Sequence, residues 1–167
     1  MNDMQKFHKA LKSDDIDEVY DALIDIGKSD TKELEPEVWS FLKNDEPDLK
    51  RAAIMVLGTY WKNPTFKDAV KTILENDLDD DVRVSALINW ASYYENTNDV
   101  NVKKKLLNLI EDDAEDLFIK IEALRGLYRV SGVKHDENKF REIERIQKYT
   151  DFEKLVPWDD VKEIMST

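Results

Sequence analysis

The chain has 167 residues, 41% of them hydrophobic, and its 37 acidic against 25 basic side chains give a formal charge of −12. That is one domain's worth of chain with enough apolar residues for a core, which excludes wholesale disorder. The charge makes naked nucleic acid and anionic membrane poor partners, since both are bound through Lys and Arg clusters, and the lack of cysteine removes disulfides, thiol nucleophiles and thiolate metal sites.

Few glycines and prolines interrupt the chain, which favours helix over strand. Met4, Phe7 and Leu11 stand at helical spacing within Met1–Lys12, so this segment is expected to cover the first repeat as a cap. Asp14 or Asp15 opens a helix through Lys28, and Thr31 precedes a second that carries Val38, Trp39, Phe41 and Leu42 and ends near Asn44. Pro36 is tolerable in the first turn of that helix. Asp45 and Pro47 open the next helix, and Asn63-Pro64 breaks it. Phe66, Ala69, Val70, Ile73 and Leu74 then form one apolar helical stripe. Asp79, Asp80 and Asp81 open a long helix through about Glu95, and Asn98 or Asp99 caps another with the stripe Val102, Leu106, Leu109 and Ile110. Residues 112–116 open a helix that Gly132 is placed to end in a left-handed conformation. Phe140, Ile143 and Ile146 mark a further helix, and Pro157-Trp158 with Asp159-Asp160 a short last one.

One phrase recurs in four of these helices. It reads Asp17–Gly27, Asp48–Gly58, Asp81–Ala91 and Phe118–Tyr128, with the anchor alanines Ala22, Ala53, Ala86 and Ala123 spaced by 31, 33 and 37 residues. A period in this range signals stacked helical pairs. The residue after the anchor is Leu23, Ile54, Leu87 or Leu124, and three further on stands Ile26, Leu57, Trp90 or Leu127. The small residue lets neighbouring helices approach, and the larger two fill the layer between hairpins.

The phrase resembles the HEAT-repeat family, in particular its short bacterial form, in which a first helix begins Asp-x-x-Val-Arg-x-x-Ala and ends Leu-Gly. Asp80-Asp81-Val82-Arg83-Val84-Ser85-Ala86-Leu87 is the nearest copy, followed by Arg51-Ala52-Ala53 with Leu57-Gly58. The first copy lacks the basic residue, and in the fourth Phe118 replaces the acid and Tyr128 the glycine. The resemblance covers roughly residues 15–149. It implies an all-α fold, a right-handed α-solenoid of about four HEAT-like hairpins (15–44, 47–76, 80–111 and 115–149). Residues 1–14 and 150–167 form the caps of this single domain, 1–167. Scaffolds, chaperone-like lyases, inhibitors and DNA glycosylases share such repeats, so the fold alone does not name an activity.

Chemistry is sparse. The two histidines, His8 and His135, fall in a flanking helix and a loop, and neither is followed by Glu as in iron-binding members of the family. No His-Glu-x-x-His pattern or plausible Ser-His-Asp set exists. Asp77, Asp79 and Asp81 alternate like calcium-loop ligands, but Val82 and Ile88 occupy the places of the glycine and the bidentate acid. No catalytic residue, metal ligand or cofactor is therefore expected. Lys103-Lys104-Lys105, the one basic run, reads as a solvated helix face. A glycosylase would need a basic channel for its flipped base and is a remote alternative for so acidic a chain.

Two surfaces suggest binding. Acids crowd the inter-repeat turns, notably Asp79, Asp80 and Asp81, and Asp112, Asp113 and Glu115. Capping and the helix dipole call for one or two acids per helix; the surplus fits either solubility or the attraction of a basic partner. The pairs Tyr60-Trp61 and Tyr93-Tyr94 occupy equivalent places in two repeats, where they are either core residues or interface anchors. Trp61, Tyr93 and Tyr94 are the anchor candidates. The whole resembles an acidic bacterial immunity protein that occludes the active site of a basic, nuclease-type toxin; a HEAT-type adaptor or chaperone-like subunit is the alternative. Met1–Asp15 lacks a signal peptide's apolar stretch, and the longest uncharged run, Ala52–Trp61, is too short to span a bilayer. A cytoplasmic protein without nucleic-acid or membrane contacts is expected, with a monomer the favoured state.

Replacing Ala86 with leucine is expected to cost about 1–3 kcal/mol by overpacking. Urea unfolding measures it, and an unchanged midpoint would contradict the alignment of the four copies.

Overall fold

In the computed structural model, residues 3–146 and 149–167 are described. The first two residues of the expected N-terminal cap, and residues 147–148 at the end of the expected fourth hairpin, lie outside them. Every regular element among the described residues is helical, and the chain divides into two compact units, Met1–Asn89 and Trp90–Thr167.

The first unit holds α1 (Asp3–Ala10), α2 (Ile16–Lys28), α3 (Glu35–Phe41), α4 (Pro47–Ile54), α5 (Phe66–Asn76) and most of α6 (Asp80–Ser92). Asp15 rather than Asp14 caps α2, its Oδ1 accepting from the amides of Asp17 at 3.0 Å and Glu18 at 3.4 Å. The second helix starts later than Thr31. A 3₁₀ turn, Lys32–Leu34, intervenes after Asp30 takes a left-handed φ of 53°. Thr31 makes no capping bond; its hydroxyl pairs with that of Ser29 at 2.7 Å. Pro47 sits in the first turn of α4, where its missing amide hydrogen costs nothing. Within this unit α1 packs on α2, α2 on α4, and α3 on α4.

Helix α4 runs on into a π-helical stretch, Met55–Tyr60. The amide of Trp61 donates to the carbonyl of Val56 at 2.9 Å, a five-residue step. Such a stretch inserts one residue into the helical register. Trp61 is consequently turned into the core, 7% exposed, while Tyr60 is the outward member of the pair.

All twelve stacking places read from the repeated phrase, from Ala22, Leu23 and Ile26 to Ala123, Leu124 and Leu127, are buried. The end of the phrase is equally constrained. A Cβ built on Gly27 would stand 2.7 Å from Cδ2 of Tyr60, and one on Gly58 would stand 2.3 Å from Oδ1 of Asn89. Each glycine thus receives a side chain from the following repeat. Asn89, itself buried, accepts from the Thr59 hydroxyl at 2.9 Å and donates to the Ser85 carbonyl at 2.9 Å.

The second unit holds α7 (Val100–Glu111), α8 (Leu117–Ser131), α9 (Glu137–Glu144), α10 (Tyr149–Leu155) and α11 (Trp158–Ser166). Helix α7 lies along α8, and α11 packs on both. Asp99 and Asp116 cap α7 and α8 through pairs of backbone amides, and Gly132, at φ 73°, ends α8 as expected.

The basic run departs from its expected role. Lys104 is exposed, but Lys103 is only 1% exposed. Its ammonium donates to Oδ1 of Asn98 at 2.7 Å and to the carbonyl of Ile164 at 2.9 Å. It thereby fixes α11 to the start of α7. A buried ammonium is tolerated only when its protons are so satisfied. With Val161 and Ile164 buried beside it, the C-terminal helix covers the end of this unit.

Gly58→Ala tests the glycine constraint by sign. In an ordinary exposed helix this change stabilises by up to about 1 kcal/mol. Here the new methyl displaces the Asn89 amide from its bonds to Thr59 and Ser85, and a loss of about 1–3 kcal/mol is expected, measured as a lowered urea midpoint.

Candidate protein-binding surface

In the first unit the acidic turns lie at the starts of α2, α4 and α6. Ile16, Asp17, Tyr20, Asp48 and Arg51 line one groove of about 220 Å³ between α2 and α4. Lys50 Nζ reaches Asp77 Oδ2 at 2.9 Å, with both side chains largely buried, which ties the start of α4 to the turn before α6.

The carboxylates of this unit divide by task. Asp15 caps α2, and Asp79 caps α6 by accepting from the Val82 amide at 2.9 Å. Asp48 pairs with Arg51 at 3.1 Å and Asp80 with Arg83 at 2.9 Å. Arg83 also donates through Nε to the carbonyl of Leu74 at 3.1 Å, so the repeated arginine of the phrase closes the C-terminal end of α5. Asp14, Asp17, Asp45, Glu46 and Asp81 are all exposed, and no side-chain hydrogen bond or ion pair engages their carboxylates among the described residues. These five are the surplus beyond capping.

The turn before α8 is different. Asp112 accepts from the Ala114 amide at 2.9 Å, Glu115 from the Asp116 amide at 3.0 Å, and Asp116 caps the helix. Behind them lies Lys120, fully buried, its ammonium donating to the carbonyl of Ile110 at 3.1 Å. Burial pulls the Lys120 ammonium below the usual lysine range, and the fields of Asp113, Glu153, Asp112 and Glu115 work against that shift. Acids in this turn therefore compensate an internal charge, a task invisible in the sequence pattern.

Of the three aromatic candidates, Trp61 is corrected: it is a core residue whose indole N–H is buried without a hydrogen-bond partner among the described residues. The π-helical register is the physical reason. Tyr60, 38% exposed, lies against Gly27 instead. Tyr93 and Tyr94 are half-buried. Burial raises the Tyr93 phenol above its ordinary range, and Tyr94 meets Trp90 edge to face at 5.6 Å.

Two apolar residues of the first unit that sequence reasoning passed over stand in the acidic turns. Leu78, between Asp77 and Asp79, is 100% exposed, and Ile16, directly after Asp15, is 41% exposed. Their signal in the sequence was a large apolar residue outside every helical stripe. His8, by contrast, is an exposed neighbour of Glu37, at 3.8 Å.

Among the described residues no group of three or more His, Asp or Glu side chains could hold a metal ion, and no helix is long and apolar enough to cross a membrane. A family model for HEAT repeats matches residues 4–91, from α1 through nearly all of α6. That is more than half of the chain, and the protein belongs to the HEAT-repeat family. No curated protein and no solved structure matches it. Stacked repeats of this kind present extended surfaces to other macromolecules, so the class is a protein-interaction scaffold built as an all-helical α-solenoid.

Capping and surplus acids separate in one experiment. Asp79→Ala removes the α6 cap and is expected to cost about 0.5–2 kcal/mol. Asp81→Ala, two residues on, loses only its interaction with the helix dipole and is expected to change stability by less than about 0.5 kcal/mol. Paired urea titrations check the contrast.

Proposed function

We propose that this chain is a non-enzymatic binding module whose acidic turns dock on a basic protein. Its role is that of an immunity protein that occludes the active site of a cognate nuclease-type toxin. The observation that carries the reading is the set of unengaged carboxylates in the first unit, Asp14, Asp17, Asp45, Glu46 and Asp81, with Ile16 and Leu78 exposed in the acidic turns at the starts of α2 and α6. Helix capping does not require them, and mutual repulsion makes them a cost to folding. Carboxylates at the turns substitute for the phosphates that a nuclease cleft is built to receive. Leu78 and Ile16 supply apolar contact in the middle of the charge, the usual composition of an interface whose centre carries the affinity and whose rim carries the steering. Tyr93 and Tyr94, and the turn from Asp112 to Glu115, belong to the same reading with less weight, because their groups are already part-buried or engaged.

Affinity purification from the source cell tests it, with the wild-type chain, a Leu78→Asp variant and a variant in which Asp14, Asp17 and Asp81 are changed to Lys. The expected partner is a basic nuclease that is inhibited at one-to-one stoichiometry. Its association rate should fall about tenfold or more between low salt and about 0.5 M salt, and both variants should lose it. A captured enzyme whose activity is unchanged or raised favours the adaptor role. Association that ignores both salt and the charge reversals defeats the acidic-surface reading altogether.

A further inference from the structure

The second unit contains a concavity that neither the repeat family nor the acidic turns account for. It is a cleft of about 420 Å³ at the C-terminal end of α8, between that helix and the turns at Asn96 and Gly132–His135. In a chain of charge −12, its lining gathers three permanent cations, Arg125, Arg129 and Lys134, against the acids Glu95 and Glu137. Arg125 and Arg129 stand one helical turn apart, on one face of α8. The acidic turn at the other end of α8 is about 20 Å away along the helix.

The wall is built rigidly. The amide of Asn96 donates to the carbonyl of Arg129 at 3.0 Å and that of Asn98 to the carbonyl of Val130 at 2.8 Å. Asn96, Asn98 and Gly132 all take left-handed backbone conformations. Gly132, at φ 73°, takes a conformation that favours glycine, and a Cβ there would stand 2.9 Å from Oδ1 of Asn96. His135 is held by ring contacts with Phe140 at 4.4 Å and Tyr128 at 5.7 Å. The Tyr128 hydroxyl is spent on Asp160 at 2.9 Å.

A helix C-terminus ordinarily repels anions through its unsatisfied carbonyls. Here three of the last four are occupied: Tyr128 O accepts from the Ser131 hydroxyl at 3.0 Å, and Arg129 O and Val130 O accept from the asparagine turn. The charges around the cleft have distinct roles. Arg125 is held by Glu122 and Glu144 and lies over the Phe140 ring, and Glu137 meets His135 at 3.1 Å. Burial pushes the Glu122 carboxyl above its ordinary range, and the fields of Arg125 and Arg129 work against that shift. Arg129 and Lys134 line the cleft together with Glu95.

We propose that this cleft binds an oxyanion, the carboxylate or phosphate group of a ligand, between Arg129 and Lys134 with the turn at Gly132–His135 as its floor. Arg129 supplies a planar fork suited to either group, with five donors that can serve a ligand and a protein acceptor at once. Lys134 supplies a mobile point charge. The site is independent of the acidic surface of the first unit, because it uses other residues and takes ligands of the opposite sign.

The test is a titration of the full chain with inorganic phosphate and, separately, with acetate, followed by amide chemical shifts, with chloride at matched ionic strength as control. Saturable shifts at Asn96 and Gly132–His135 are expected, with a dissociation constant of about millimolar. Saturation by phosphate alone identifies a phosphate site, and saturation by acetate alone or by both identifies a carboxylate-accepting one. Lys134→Glu, at an exposed position that cannot unfold the chain, should weaken binding about tenfold or more. Arg129→Gln should weaken it similarly, and Lys104→Glu on α7 should leave it unchanged. Shifts that fail to saturate, that chloride reproduces, or that survive Lys134→Glu overturn the proposal.

Discussion

The structure depends on how closely consecutive repeats can approach. Each first helix of a hairpin offers its neighbour a small residue at the anchor and, in two copies, a glycine five places on. At Gly27 and Gly58 even a methyl group would collide with Tyr60 or Asn89 of the next repeat. Burial of the larger residues beside the anchors of the first unit follows from that approach, since Leu23, Ile54 and Leu87 fill the layer only when the backbones are near. A hairpin alone cannot bury both its faces, so the close contact turns a marginal unit into a stable array.

The same contact decides which aromatic side chains face outward. A π-helical stretch in the second copy moves Trp61 inward and lays Tyr60 on Gly27. The third copy stays α-helical through Ser92 and leaves Tyr93 and Tyr94 half-buried. Two pairs with identical places in the repeated phrase therefore have different exposures. The indole N–H of Trp61 goes without a partner among the described residues, a cost that the apolar burial of the ring has to offset.

Charge is arranged as deliberately as volume. Acids at the helix starts divide into caps, partners of Lys50, Arg51 and Arg83, compensators of the buried Lys120, and a remainder with no internal task. Only the last group has a functional implication, and it is concentrated in the first unit. In the second unit two lysines are taken out of solvent and satisfied by carbonyls and an asparagine. One of these contacts holds the C-terminal helix in place. The arginines at the far end of α8 line a cleft together with Lys134 and the acids Glu95 and Glu137.

The sequence by itself determined the helical class, the four anchors, the helix starts at Asn98 or Asp99 and within residues 112–116, and the left-handed stop at Gly132. These follow from local rules of periodicity, hydrogen bonding to free amides and backbone sterics, which act within a few residues of chain. It also showed that the acids were too many, though not which were surplus. Which acids are free, which lysine of the run at 103–105 is buried, which member of Tyr60-Trp61 points outward and where the cationic cleft opens were decided only by tertiary structure. Each depends on a group distant in sequence: Asp77 on Lys50, Lys103 on Ile164, Tyr60 on Gly27, Arg129 on Asn96. A side chain's exposure and charge balance are set by such neighbours, and a repeating pattern records the places where they meet without recording what meets there.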